Sequence, residues 1–207
     1  MGDPAAKRYV LATRNEGKIA ELNRILAAVA TGFELVGLDA FPGAPDVAET
    51  GLTFADNALL KAHAIAAYTG LPAVADDSGL AVDALHGMPG ILSARWAGKH
   101  GDDQANLDLL LGQLADIDER GAAFICVAAL VVPGAAGDGP GEWTTTGVLA
   151  GTLTRARRGG NGFGYDPIFV PAGATTTTAE LSAADKDAIS HRGRAFRALA
   201  PLIAAHA

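Results

Sequence analysis

The chain holds one cysteine, Cys126, in 207 residues. That excludes an internal disulfide framework and a thiolate zinc site. Mid-strand by pattern, Cys126 reads as an inert core residue. Long apolar runs are also missing. Apolar residues make up 49% of the chain, yet no run reaches the ~18 uncharged residues that a membrane helix needs. The most apolar segment, "FICVAALVVP", is too short to span. The N-terminus, "MGDPAAKRYV", lacks the apolar stretch of a secretory signal. There is no G-x-x-x-x-G-K-[ST] sequence, which rules out P-loop chemistry. The five histidines have no metal-ligand spacing. The expectation is a soluble, cytoplasmic protein that binds neither membrane nor nucleic acid.

What charge there is lies unevenly. The formal net charge is -7. From Arg155 to Ala207, seven Lys/Arg face four Asp/Glu; residues 1–154 carry nine against nineteen. An acidic total argues against general nucleic-acid binding. A locally basic segment suits a small anionic ligand, although ordinary surface charge would give the same count.

Hydrophobic spacing gives the elements. "RYVLAT" (Arg8–Thr13) predicts a short buried strand, followed by the turn "RNEG". Ile19, Leu22, Ile25, Leu26 and Val29 recur at helical spacing and predict an amphipathic helix over about Lys18–Ala30. Strand, glycine turn and helix in that order form a common anion-binding arrangement, because helix-start N–H groups point outward. Thr53 is a plausible N-cap, with Asp56 three residues on, for a helix over Phe54–Tyr68 that Gly70 and Pro72 stop. "PAVADD" predicts a strand. "GDDQANLDLLLGQL" predicts a helix with Leu107, Leu110, Leu111 and Leu114 on its buried face. "AAFICVAALVVP" reads as a central strand, Trp143–Thr154 as its return strand, and "GYDPIFVP" as a further short strand. A last helix starts near Ser190. The fold class is α/β with a mixed sheet. Residues 1–207 are treated as one catalytic domain, with 1–7 as a flexible N-terminus. The run Ala174–Thr178, "ATTTT", reads as an exposed loop without functional content.

Several residues could carry chemistry. Asp76 and Asp77 are adjacent, so in a strand they point to opposite faces. A buried carboxylate there needs a metal, a cation or several N–H donors; at the strand end both could instead reach a ligand site. The structural alternative is a turn in which Asp77 caps the Ser78–Gly79 backbone; in the functional reading Gly79 lets the backbone turn away and leaves the phosphates room. Glu49 precedes a helix, where it could simply face the helix dipole. Together with Asp77 it would form an all-oxygen site that suits Mg²⁺, whose remaining shell is water and substrate phosphate. Asn57 and Lys61 lie four apart on one helix face, either as surface polar spacing or with Lys61 aimed at phosphate. "GGNGFGYDP" is glycine-dense but not G-x-G-x-x-G. It could present Phe163 and Tyr165 to a flat base, or form a tight turn over core aromatics. Lys186, His191 and Arg192 sit on or just before the last helix. A cation at a helix start is opposed by the dipole, which an anion or a polar base edge would offset. Arg95 could clamp phosphate or form a structural ion pair.

Five stretches in order resemble one family, the non-canonical purine nucleoside triphosphate pyrophosphatases, which act on inosine and xanthosine triphosphates. They are "TRNEGKIAE", "ETGLTFADNALLKA", "ADDSGLAVDALHGMPGILSARWAG", "GFGYDPIF" and "ISHRG", and the likeness runs from Tyr9 to Leu202. The resemblance implies an elongated mixed β-sheet flanked by helices, with two lobes and the active site in the cleft between them. It also implies a homodimer, Mg²⁺ dependence, and hydrolysis of ITP, dITP and XTP to the monophosphate and pyrophosphate. By residue, it assigns the triphosphate to Thr13, Arg14, Asn15, Glu16, Gly17 and Lys18; Lys61 is expected to bind substrate on the ground of its own helix position. It assigns metal to Glu49 and Asp77, and water activation to Asp77. Ser78, Phe163, Gly164, Tyr165, Asp166, Lys186, His191 and Arg192 bind substrate. Two other readings stay open: a related pyrophosphatase acting on pyrimidine or modified nucleotides, and a non-catalytic nucleotide-binding module.

Overall fold

The computed structural model describes residues 7–14, 19, 22, 25, 33–134 and 139–206. Six strands form one sheet in the order β2-β1-β3-β4-β5-β6. They are β1 (Lys7–Leu11), β2 (Phe33–Gly37), β3 (Ala73–Val82), β4 (Gly121–Val132), β5 (Gly141–Leu153) and β6 (Phe169–Pro171). Among the described residues the helices with continuous ranges are α1 (Phe54–Thr69), α2 (Asp103–Gln113), α3 (Ala183–Ile189) and α4 (His191–Ala205). β1 runs parallel to β2 and β3, whereas β5 and β6 are antiparallel. The sheet is therefore mixed and the class α/β, as the sequence predicts. No helix among the described residues is long and apolar enough to cross a membrane.

The chain divides into two compact units. The first comprises residues 1–77, 127–146 and 193–207. Its core is built mainly of small side chains. Ala58, Ala62, Ile65 and Ala66 of α1 pack with Ala73 and Ala75 of β3 and Val127, Ala129 and Val131 of β4. Alanines on both helix and strand allow close approach, and β3 alternation then turns Asp77 to the same face as Ala73 and Ala75. Tyr9 of β1 is fully buried and donates its hydroxyl to the Ile203 carbonyl of α4 at 3.0 Å.

The second unit comprises residues 78–126 and 147–192. Its core sets Leu107, Leu110 and Leu114 of α2 against Leu80 and Val82 of β3, Phe124 of β4, Leu149 and Leu153 of β5, and Ile168 and Phe169. The leucine stripe of α2 is the one its spacing predicts, and Asp102 caps that helix by accepting from the Ala105 N–H at 3.2 Å. Cys126 is buried, as expected for a core residue.

Four expectations change. β2, "FELVG", is a strand the sequence reading omits; it is short and lies at one end of the strand order, beside β1 alone. β3 does not stop at Asp77. It continues through Ser78 and Gly79 to Val82, so Gly79 extends the strand rather than turning it. "GYDPIFVP" is a strand only over Phe169–Pro171, because Asp166–Ile168 forms a 3-10 turn with Pro167 in its first positions. α3 is an additional short helix, capped by Ser182, whose side chain accepts from the Asp185 N–H at 3.2 Å. The predicted helix Lys18–Ala30 lies outside the described residues except for Ile19, Leu22 and Ile25, which are helical. The expected flexible N-terminus also lies outside them, apart from Lys7.

α1 begins with the full capping box that the sequence predicts. Thr53 Oγ1 accepts from the Asp56 N–H at 3.1 Å, and Asp56 Oδ2 accepts from the Thr53 N–H at 3.0 Å. Thr53→Ala is expected to cost about 1 kcal/mol of stability, read as a lower urea midpoint with an unchanged denaturant slope. A midpoint equal to that of the unsubstituted chain would contradict the capping role.

Candidate active site

Two groups of side chains, one in each unit, gather most of the residues expected to act. In the first unit the helix α1 supplies two of them from successive turns. Asn57 and Lys61 are four residues apart and so share a helix face. Lys61 Nζ lies 2.7 Å from Glu49 Oε1 and 3.9 Å from Asp77 Oδ1. Asn57 is fully buried. Its amide nitrogen donates to Asp77 Oδ2 at 3.0 Å, and its amide oxygen accepts from the Gly51 N–H at 2.8 Å. Glu49 and Asp77, which are 28 positions apart in sequence, therefore converge on one cation.

Burial works against the ammonium of Lys61, but the charges of Asp76, Asp77 and Glu49 outweigh it and hold its pKa above the ordinary lysine value. Asp76 and Asp77 are both buried. Lys61 is thus a fixed positive charge in a negative setting, which is what admits carboxylates into an alanine-rich interior. Among the described residues no three His, Cys, Asp or Glu side chains group closely enough to make a protein-only metal cage. Two convergent carboxylates still fit Mg²⁺, which takes one or two from the protein and fills its shell with water and phosphate oxygens.

Thr13 and Arg14 follow β1 in the same unit. Thr13 is half-buried. Arg14 is exposed, donating to the Ala44 carbonyl at 2.7 Å and lying 3.6 Å from Asp46. The other expected triphosphate-binding residues, Asn15, Glu16, Gly17 and Lys18, lie outside the described residues.

In the second unit the glycine-dense loop is held from inside by Asp166. This carboxylate is 3% exposed. Its Oδ2 accepts from the Phe163 N–H at 2.8 Å and from Lys186 Nζ, and its Oδ1 accepts from Thr178 Oγ1 at 2.8 Å. Gly162 has φ +77°, and a Cβ there would strike the same carboxylate. Gly164 donates its N–H to Asp103 Oδ2 at 2.8 Å. The turn thus presents Phe163 outward, 37% exposed. Lys186 Nζ lies 4.9 Å from its ring centroid, and the Arg192 guanidinium carbon 5.8 Å. An exposed aromatic face flanked by two cations can stack a flat, electron-rich ring and bind attached negative charge.

Arg192, 2% exposed, donates to Ser78 Oγ at 2.8 Å. His191 stacks on Phe124, with centroids 4.8 Å apart and planes 12° apart. Tyr165 differs from Phe163: its ring belongs to the core and its hydroxyl donates to the Ser93 carbonyl at 2.9 Å. Arg95 is half-buried at the end of a 3-10 turn, Gly90–Arg95.

The sequence reading missed three supporting residues. Asn57 stands out in the sequence only by its spacing from Lys61. Asp103 lies within the predicted helix segment "GDDQANLDLLLGQL" and has no site signal of its own. Thr178 falls in the run Ala174–Thr178 that reads as an exposed loop. The loop assignment holds for Ala174–Thr176, but Thr177 and Thr178 are buried. Thr177 forms a capping box with Glu180, a T-x-x-E pattern that was present in the sequence as a signal.

The sequence pattern of the Ham1 family matches residues 9–202. The chain belongs to the Ham1 family. It is 64% identical over 198 residues to a protein of Streptomyces coelicolor named dITP/XTP pyrophosphatase, covering 95% of this chain and 96% of that one. Among solved structures, a HAM1 protein from Coxiella burnetii superposes with a TM-score of 0.84 at 40% identity, covering 96% and 98% of the two chains. A nucleoside-triphosphatase / dITP/XTP pyrophosphatase from Mycobacterium abscessus gives 0.74 at 54% identity, covering 94% and 99%. Membership of the Ham1 family accounts for the five motifs falling in order along the chain.

Burial, with a smaller contribution from the charge of Asp103, raises the pKa of the Tyr165 phenol in this Ham1 protein. A raised folded value means that its stabilisation is complete below the ordinary phenol pKa of about 10 and is lost as pH rises through the folded value. In an alkaline absorbance titration, Tyr165→Phe should leave the tyrosinate rise near about pH 10 intact and remove amplitude only above it. Loss of amplitude near the ordinary value would contradict the buried phenol.

Proposed function

We propose that the chain hydrolyses non-canonical purine nucleoside triphosphates, dITP, ITP and XTP, to the monophosphate and pyrophosphate. The observation that carries this reading is the convergence of Glu49 and Asp77 on Lys61 in a chain so similar to proteins named dITP/XTP pyrophosphatase. Glu49 and Asp77 would hold Mg²⁺, whose chemistry there is to neutralise charge developing on the leaving pyrophosphate. Lys61 holds phosphate oxygens, its ammonium kept charged by its carboxylate neighbours. Thr13 to Lys18 holds the rest of the triphosphate. Asp77 orients a water and takes its proton as the water oxygen bonds the α-phosphorus. The bond from that phosphorus to the bridging oxygen breaks, and pyrophosphate departs with the electron pair.

The purine ring is assigned to the second group. Phe163 stacks the ring. Asp166, with its oxygens already taken by the Phe163 N–H, Thr178 and Lys186, fixes the loop and the lysine. Tyr165 contributes through its backbone, since its side chain is in the core. His191 and Arg192 are the candidate donors to a 6-oxo group, since the Gly164 N–H is already given to Asp103. Adenine carries a donor at that position, so binding it would leave buried donors unpaired, and such mismatches can be heavily penalised. Guanine shares the 6-oxo group, and its rejection must act at the 2-amino position.

Pyrophosphate release from dITP, ITP and XTP should exceed release from GTP, ATP and UTP and should require Mg²⁺. Asp77→Asn should lower turnover by at least about 100-fold. A preference for UTP would overturn the purine reading, near-normal turnover by Asp77→Asn would overturn the role of Asp77, and tight ITP binding without turnover would favour a binding module.

A further inference from the structure

Asn57 is the one fully buried polar side chain of α1, and no role has yet been given to it. Both ends of its amide are engaged. The Gly51 N–H can only donate, so the amide oxygen must face it, and the amide nitrogen is left for Asp77. This arrangement settles which end of the amide is which. Gly51 itself has no room for a side chain: a Cβ would come within 2.8 Å of Asn57 Oδ1 and 2.5 Å of Asp56 Cβ. Gly51 is two residues past Glu49, and Lys61 is one turn beyond Asn57. A single amide therefore ties the segment bearing Glu49 and the strand bearing Asp77 to the helix bearing Lys61.

We propose that Asn57 is a positioning residue for the reaction, fixing the Asp77 carboxylate so that Oδ2 accepts from the amide while Oδ1 faces Lys61. It touches no substrate and acts through Asp77. The inference rests on the proposed function, in which Asp77 activates water. Fixing one carboxylate oxygen removes the rotation that would otherwise turn the second oxygen away from the position where a proton is taken, and such orientation is a large part of catalytic rate.

The test is Asn57→Asp, which keeps the size of the side chain and an acceptor for the Gly51 N–H but replaces the donor facing Asp77 by an oxygen. Turnover of dITP at saturation should fall about 10–100-fold while KM changes less than about three-fold. Exchange protection of the Gly51 amide, measured on the nucleotide-free protein, should persist, showing that the helix start is intact. In an Asp77→Asn background the same substitution should cost less than about two-fold, because the group it acts through is already gone. Asn57→Ala, which loses both contacts, should show the same lack of additivity. Should Asn57→Asp keep full turnover while Asp77→Asn is inactive, the positioning role falls and the proposed function stands. Should the two losses multiply, Asn57 is only structural and the inference is wrong. Full turnover by Asp77→Asn would remove both.

Discussion

A carboxylate at the buried position of Asp77 has to be met by charge and by donors, and the first unit is arranged around that requirement. β3 alternation turns Asp77 toward α1. The alanines of strand and helix let α1 lie close enough for two of its side chains to reach the carboxylate. Asn57 supplies a donor at 3.0 Å and Lys61 a charge at 3.9 Å. Lys61 in turn recruits Glu49. An isolated ion placed there would cost several kcal/mol, so the cluster exists only as a set. The same set supplies two carboxylates suited to a hard cation and an ammonium suited to phosphate.

The second unit uses a buried carboxylate differently. Asp166 is spent on the chain's own donors, and its work is to hold a loop. Two glycines with positive φ, Gly162 and Gly164, form the turn. Asp166 and Asp103 tie down the N–H groups of Phe163 and Gly164. The outcome is an exposed aromatic ring beside two cations. Tyr165, two residues on from Phe163, anchors the loop to the core. Chemically similar residues in one motif thus divide into a presented ring and a structural one, and their opposite burial follows from which way the turn points each side chain.

Much of this was legible in the sequence. The capping box at Thr53, the leucine stripe of α2 and the central strand β4 all rest on local spacing, and local spacing survives folding. Glu49, Lys61 and Asp77 were singled out by residue type and position, and the structure brings them together. What the sequence hid depended on contacts distant along the chain. Asn57 reads as a polar residue on the solvent side of its helix until Asp77 and Gly51 are found on either side of it. Thr178 looks like loop filler until Asp166 is placed beneath it. Gly79 suggested a turn because glycine is common in turns, but neighbouring strands carry β3 through it. β2 is short and lies at one end of the strand order, so its pattern gave little signal.

In the proposed reaction the chain directs water at the α-phosphorus of a purine triphosphate, so that pyrophosphate leaves intact. Hydrolysis of dITP in heavy-oxygen water, followed by mass spectrometry of both products, tests this directly. The expected result is one heavy oxygen in the nucleoside monophosphate and none in the pyrophosphate. Heavy oxygen in the pyrophosphate, or release of single phosphates, would contradict it.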